Sequence, residues 1–305
     1  MNKHKICPAC NYKKSEFFFE SVNKDFSVKK FNYLKCKNCN SVFLSKKNYS
    51  NEKLEKFHID NWHKKDAFKY EKNNSKNKNI NRWYYTYKNF KLNRKLSVLD
   101  VGCGNGSFLI AFKKMKFKKL YGFDADPKII NNIKEDNIKT FVSNFDNFFL
   151  HKEISKLKFD YIFLHDVLEH SYNPSKLLQN IKKVIKKNSQ IFIKIPSGEC
   201  LQLEMLKEYN CDTMAPFHRT LFSKKGISFL LKKRGFKKIN FFVSNKKNWG
   251  WTRGISSKLK CEKFYEKLRK NKKFKKFDFE IDDLFEKISI KINKEPIIFL
   301  KCSQN

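Results

Sequence analysis

The chain has 305 residues, enough for about two domains, one of them large enough for a full α/β core. A formal charge of +37 points first to nucleic acid or an anionic membrane surface, but the cations are nearly all Lys, with Arg only at 82, 94, 219, 234, 253 and 269, and a solvated Lys-coated surface is the simpler expectation. Arg is the side chain suited to bidentate phosphate and base contacts, so nucleic acid is not the favoured partner. The wealth of Lys, Asn, Ile and Phe beside scarce Ala and Gly reads as a nucleotide-composition bias of the source genome. No apolar run nears the roughly 18 residues of a membrane span, and the start Met-Asn-Lys-His-Lys has no apolar leader core; a cytoplasmic protein is expected.

Residues 1–48 carry two C-x-x-C knuckles, Cys7-Pro-Ala-Cys10 and Cys36-Lys-Asn-Cys39, separated by a strand-like run at Phe17 to Phe19. Four thiolates from two such turns can meet in a tetrahedron around one Zn²⁺, which then folds a segment too short for its own core. A redox pair would want a single C-x-x-C beside a βαβ pattern. Nothing in the knuckles supplies a base or an open coordination position, so a structural zinc ribbon is expected. Without a secretory signal, Cys103, Cys200, Cys211, Cys261 and Cys302 are expected as free thiols.

Residues 49–95 are polar and Lys/Asn-rich, with aromatics at Trp83, Tyr84, Tyr85, Tyr87 and Phe90, and read as a linker and a leading helix. From residue 96 to the end, strands and helices alternate, which predicts a mainly parallel sheet with helices on both faces. Strand one is Val98 to Val101, and its helix runs from Ser107 to about Lys116. Strand two is Leu120 to Phe123, followed by an N-cap at Asp126 with Pro127 as first helical residue. Strand three lies near Thr140 to Ser143 and strand four at Tyr161 to Leu164. Leu177, Leu178, Ile181, Val184 and Ile185 make one helical stripe. Strand five, Ile191 to Ile195, ends at Pro196. A helix from Ser223 to Lys233 stops at Gly235, strand six is Ile239 to Val243, and the last strand is Ile297 to Leu300. An insertion at about 246–295 holds Trp249-Gly-Trp251 and two Lys-rich helical stretches.

The most informative run is Val98-Leu-Asp-Val-Gly-Cys-Gly-Asn-Gly-Ser-Phe-Leu109. Only nine glycines exist, and Gly102, Gly104 and Gly106 are three of them, so the chain spends glycine on a tight strand-to-helix turn where backbone N–H groups approach a ligand. A dinucleotide fingerprint would need glycine where Ser107 stands, so nicotinamide binding is disfavoured. Asp124 follows about 20 residues later, the distance at which a carboxylate can accept both ribose hydroxyls of an adenosine.

This run resembles motif I of class I S-adenosylmethionine (SAM) dependent methyltransferases, and Phe159-Asp-Tyr-Ile-Phe-Leu-His-Asp-Val-Leu-Glu-His170 resembles the family's fourth-strand motif. Phe217-His-Arg-Thr-Leu-Phe-Ser223, with the helix and Gly235-Phe236 behind it, resembles the segment after strand five. The resemblance implies an α/β fold with a seven-stranded Rossmann-like sheet, the last strand lying antiparallel between the fifth and sixth, and SAM as cofactor. It gives Asp124 the ribose and Asp100 an indirect contact to the methionine amino group. It gives Asn144 a polar contact to adenine, with Asp146 as rival, and puts His165 at the methionine end. Asn188-Ser-Gln190 replaces the usual Pro-Gly-Gly.

A zinc knuckle joined to such a domain is similar to bacterial methyltransferases of sugar and surface-polysaccharide pathways, which implies a saccharide or nucleotide-sugar acceptor. Here Ala215 and Phe217 stand where those enzymes carry Tyr and Glu before the residue matching His218. A neutral His suits proton removal from the acceptor because its pKa lies near operating pH; His218 is the first candidate and His170 the second. Tyr172, Glu169 and Trp251 are candidate pocket residues, and Arg219 or Arg253 could face an anionic acceptor. Two alternatives stay open: an rRNA or tRNA methyltransferase, and an inactive scaffold, against which the intact glycines and Asp124 argue.

Overall fold

In the computed structural model, the structure describes residues 6–22, 30–45, 73–145, 147–210, 212–243 and 251–304. Their strands are β1 (Ser15–Val22), β2 (Lys30–Cys36), β3 (Val42–Leu44), β4 (Ser97–Val101), β5 (Lys119–Asp124), β6 (Ile138–Val142), β7 (Phe159–His165), β8 (Ile185–Pro196), β9 (Thr220–Leu221), β10 (Lys237–Phe242) and β11 (Ile297–Ser303). Their α-helices are α1 (Asn73–Tyr87), α2 (Ser107–Lys114), α3 (Pro127–Asn131), α4 (Pro174–Ile181), α5 (Leu201–Leu206), α6 (Lys224–Lys233), α7 (Trp251–Lys258), α8 (Glu262–Leu268) and α9 (Lys272–Lys291). None of these helices is long and apolar enough to cross a membrane. The chain forms two compact units, one of Met1–Tyr49, Ile195–Leu230 and Phe241–Phe299, the other of Ser50–Lys194, Leu231–Asn240 and Leu300–Asn305.

The first unit begins with the knuckles. After each second cysteine an Asn takes the left-handed conformation that its short polar side chain tolerates, Asn11 at φ 59° and Asn40 at φ 63°. Each Asn N–H then closes its turn on the first cysteine's carbonyl, at 2.9 and 3.0 Å. β1 and β2 pair antiparallel, burying Phe31 and Tyr33 at the period-two spacing of one sheet face. β3 adds to β2, and a distant segment completes the sheet: Val42 pairs with Leu221 and Phe43 with Thr220 of β9. Ser223 N–H donates to Ser41 Oγ at 3.1 Å, and Gly226 N–H to Ser223 Oγ at 2.8 Å. A side chain at Gly226 would put its Cβ 2.1 Å from Ser41 Oγ and 3.2 Å from Ala9, so this first turn of α6 reaches the knuckle only as glycine.

The second unit is built on the expected α/β sheet, seven-stranded and mixed, in the order β10-β11-β8-β7-β4-β5-β6. β4 pairs parallel with both β5 and β7, and all five of its residues are buried, as a strand covered on both faces requires. The chain runs outward from β4 to β6 and then restarts at β7 on the other side. That reversal sits between β4 and β7, and ligands of open α/β sheets bind beyond the carboxyl ends of the strands at such a point.

Most predicted elements fall on observed ones, with two differences. Leu177, Leu178 and Ile181 form the buried face of α4, but the helix stops there. Val184 gives its carbonyl to Phe159 N–H at 2.8 Å, which draws the chain into the ladder, so Ile185 opens β8 rather than extending the stripe. Strand six starts and ends earlier than expected, at Lys237–Phe242. Residues 49–72, Asp146, Cys211 and Trp249-Gly250 lie outside the described residues.

Gly226→Ala is expected to cost about 1–3 kcal/mol of stability through overpacking against Ser41 and Ala9. Chemical denaturation of the purified variant checks this, and an unchanged midpoint would contradict the contact.

Candidate functional site

β4 delivers Asp100 and Val101 and then turns through Gly102, Gly104 and Gly106, at φ 70°, 48° and 75°. All three lie in the left-handed region that L side chains avoid. Two are also crowded: a Cβ on Gly102 would stand 3.1 Å from Val167, and one on Gly106 3.1 Å from Ile133. Gly104 differs, because nothing stands within 4 Å of its missing Cβ; the turn opens into space there. Gly102 and Cys103 N–H groups are tied to the Phe123 carbonyl at 2.9 and 3.0 Å. Gly106 caps α2 without a side chain.

Asp124, at the end of β5, faces this turn. One carboxylate oxygen accepts from Gly104 N–H at 3.0 Å and the other from Asp126 N–H at 3.1 Å. The capping of α3 falls to Asp126, which accepts from Lys128 N–H at 2.7 Å, with Pro127 as first helical residue. Asp100 is buried at 3% exposure. Burial, and then the Asp124 charge, push its carboxyl well above the usual carboxylate range. Asn144 stands after β6, where its Oδ1 accepts from Asn147 N–H at 2.9 Å and steadies the following turn.

His165 ends β7, against α1. Its ring stacks on Trp83 with centroids 4.4 Å apart, and its Nε2 lies 2.7 Å from Tyr87 Oη. Its Nδ1 is buried with no protein partner. Burial first, and the nearby Lys194 ammonium second, hold the imidazole down at about 3, so the ring is neutral at physiological pH. The next residue, Asp166, adopts φ 55° and pairs with Lys194 Nζ at 2.6 Å. Lys194 is a buried cation on β8, and its ammonium also sits 5.7 Å from the Trp83 ring. Sequence reasoning missed this pair. Its signal was present, a lone Lys inside the apolar run Ile191 to Ile195.

The two histidines considered as bases fall in different units. His170 is buried in a 3₁₀ turn, Leu168–His170, of the second. His218 is buried in the first, where its Nδ1 lies 2.5 Å from the Asp212 carbonyl. A carbonyl only accepts, so Nδ1 carries the proton and Nε2 is the basic nitrogen of the neutral ring. Tyr33 of β2 donates to the His218 carbonyl at 2.8 Å and to that of Thr213 at 3.0 Å, fixing this loop.

Cys7, Cys10, Cys36 and Cys39 bring their sulfurs within 4.8 Å of one another. Cys7 to Cys39 and Cys10 to Cys36 are each 3.6 Å. Asn38 N–H points at Cys36 Sγ, 3.4 Å away, and Ser41 Oγ lies 3.3 Å from Cys39 Sγ.

The protein family described as "Methyltransferase domain" matches residues 72–240, more than half of the chain. Among curated proteins, the tRNA U34 carboxymethyltransferase of Campylobacter curvus is 30% identical over 103 residues, 32% of this chain and 33% of that one. The mitochondrial ubiquinone biosynthesis O-methyltransferase of Dictyostelium discoideum is 28% identical over 112 residues, 32% of this chain and 34% of that one. The chain thus spans about a third of the length of the curated relatives it matches. Among solved structures, the plantazolicin methyltransferase BpumL, in complex with a monoazolic desmethylPZN analogue and SAH, is 16% identical over 82% of this chain and 93% of that one, with a TM-score of 0.48.

The His165 environment predicts an acid-sensitive fold. Its folded pKa of about 3 lies below the ordinary 6.5, so between those values the unfolded chain takes up a proton that the folded one refuses. Stability therefore falls as pH drops from about 6.5 toward 4, by up to about 1.4 kcal/mol per pH unit from this residue. Urea denaturation across that range should give a flatter pH dependence for His165→Gln than for the wild type; parallel curves would contradict the assignment.

Proposed function

Because the chain belongs to the methyltransferase-domain family, we propose that it transfers a methyl group from SAM to a saccharide or nucleotide-sugar acceptor. The observation that carries the cofactor half is Gly104, a left-handed glycine that opens into space with its N–H held by Asp124. The donor set fits SAM. Each Asp124 oxygen accepts one backbone N–H, and a carboxylate has about four lone-pair sites, which leaves acceptors for two ribose hydroxyls. Asp100 offers a buried acceptor toward an ammonium, whose charge would offset the burial acting on it. Gly102, Gly104 and Gly106 let backbone approach the ligand, Asn144 serves adenine, and His165 lines the methionine end. When bound, SAM supplies an electrophilic methyl group on a sulfonium.

The residues then have three tasks: align the acceptor, exclude water and remove one proton. His218 is the proposed base, supported by the Asp212 carbonyl that leaves Nε2 as its basic nitrogen, with His170 as the second candidate. The saccharide reading rests on the resemblance of a knuckle-plus-domain chain to sugar methyltransferases and on a cationic surface made of Lys rather than Arg. The relatives named tRNA U34 carboxymethyltransferase favour a second reading, an RNA acceptor.

We read the four cysteines as a structural Zn²⁺ site. Zn–S bonds of about 2.3 Å put tetrahedral sulfurs about 3.8 Å apart, close to the 3.6 Å of two of the pairs here. Four thiolates fill the coordination sphere, and the Asn38 and Ser41 contacts orient them from outside. Purified protein should hold about one zinc per chain, and chelation should loosen the knuckles. Elemental analysis finding no zinc in chelator-free protein would remove this site.

Asp124→Ala is expected to weaken SAM binding by about 2–3 kcal/mol, since hydrogen bonds to a charged acceptor disappear, whereas His218→Gln should lower turnover far more than SAM affinity. Calorimetry and methyl transfer from labelled SAM, offered total RNA and a nucleotide-sugar pool at about 150 mM salt, read both. Label in one RNA nucleotide and in no sugar would replace the saccharide reading with the RNA one. Full activity of His218→Gln would remove His218 as base.

A further inference from the structure

The longest helix among the described residues, α9, turns three of its carboxylates inward. Asp278, Asp282 and Glu286 are buried at 3%, 8% and 7% exposure, while Phe277, Leu284 and Ile288 stand out at 55%, 57% and 40%. A helix on a globular surface ordinarily turns the other way. Specific bonds hold this orientation. Asp278 accepts from Tyr265 Oη at 2.7 Å and pairs with Arg269 at 3.0 Å, and Asp282 accepts from Thr252 N–H at 3.0 Å. The exposed Phe277, Leu284 and Ile288 and the half-buried Ile281 recur at spacings of four, three and four, so they share one face. That face continues into a groove of about 420 Å³ between α7, α8 and α9, whose rim includes the exposed Leu259 and Phe264.

The surroundings of this apolar face are cationic beyond the bias of the chain. Ten of the nineteen residues from 258 to 276 are Lys or Arg and two are acidic, whereas the chain-wide 67 in 305 would give about four. Every one of those lysines is exposed. Exposed Leu, Ile and Phe among Lys that outnumber the exposed Glu262, Glu266 and Glu280, with Asp278, Asp282 and Glu286 turned inward, complement a surface that is apolar below and anionic above. Nucleic acid would match the lysines but leave Leu259, Leu284 and Ile288 in water. A second copy would set lysines against lysines.

We propose that residues 251–292 seat the protein on an anionic lipid bilayer, with the face of α9 and the Leu259–Phe264 rim entering the headgroup region and the lysines contacting lipid phosphates. This holds whichever acceptor is methylated. Each lysine near such a surface strengthens binding about fivefold, and the apolar side chains make the attachment outlast high salt.

The test is flotation of the full chain with vesicles of phosphatidylcholine alone or mixed with phosphatidylglycerol, at about 150 mM salt. The mixed vesicles should carry the protein and the neutral ones should not. Leu259→Ser/Phe264→Ser/Phe277→Ser, exposed positions outside the proposed site, should lose about tenfold or more of that binding with SAM affinity unchanged, and Lys263→Glu/Lys267→Glu should lose a similar amount. Equal recovery with both vesicles, or full binding by the triple variant, would overturn the proposal. So would an absence of vesicle binding together with RNA binding or dimerisation that the triple variant abolishes.

Discussion

The bond from Gly104 to Asp124 is the constraint on which the second unit's site depends. It ties the turn after β4 to the end of β5, so two neighbouring strand ends become one rigid ledge. The ledge demands glycine three times for different reasons. Gly102 and Gly106 meet Val167 and Ile133, while Gly104 needs its φ and the open space beside it. Gly122 adds a fourth demand from below: opposite Asp100 in the ladder, a Cβ there would come within 2.8 Å of both Cys103 and Leu109. A charged carboxylate meeting backbone N–H groups is a stronger hold than a neutral hydrogen bond, and it asks no side-chain bulk of the turn itself.

A wall of aromatic and charged groups stands at the neighbouring strand ends. His165 sits between Trp83 and Tyr87, and the ion pair of Asp166 with Lys194 closes the same corner. Burying Lys194 without Asp166 would strand a charge in the interior, so the two residues are interdependent, and the left-handed backbone of Asp166 is retained at some cost in strain.

The sheet, the glycine turn, the Asp126 cap and the stop at Gly235 were legible because each is a local signal: alternating apolar runs, a backbone conformation only one residue type favours, a side chain that answers an orphan N–H. What escaped was long-range. Thr220–Leu221 is too short to read as a strand and exists because β3 offers it an edge. Ile185 continues a helical spacing, yet the ladder to β7 claims it. The knuckle spacing showed which cysteines could meet, but not that Gly226 and Ser223 would pack beside them. On α9 only a Lys-rich helical stretch was read; the outward orientation of its apolar residues came from partners in Thr252, Tyr265 and Arg269 that no local pattern encodes.

The pairing of β3 with β9 also bears on how the chain is made. Synthesis runs from the N-terminus, so the cysteine knuckles and the first three strands leave the ribosome long before Thr220 does. Until then Val42–Leu44 presents an unfilled edge, the kind of surface that pairs with whatever strand is nearest. The intervening residues include the parallel core around β4, which can assemble on its own neighbours in the meantime. The segment of the knuckles and first three strands is therefore translated well before β9 and finishes its sheet only after it. A contact that spans so much sequence makes its closure slow, and a nascent chain stalled before residue 220 would expose an adhesive strand.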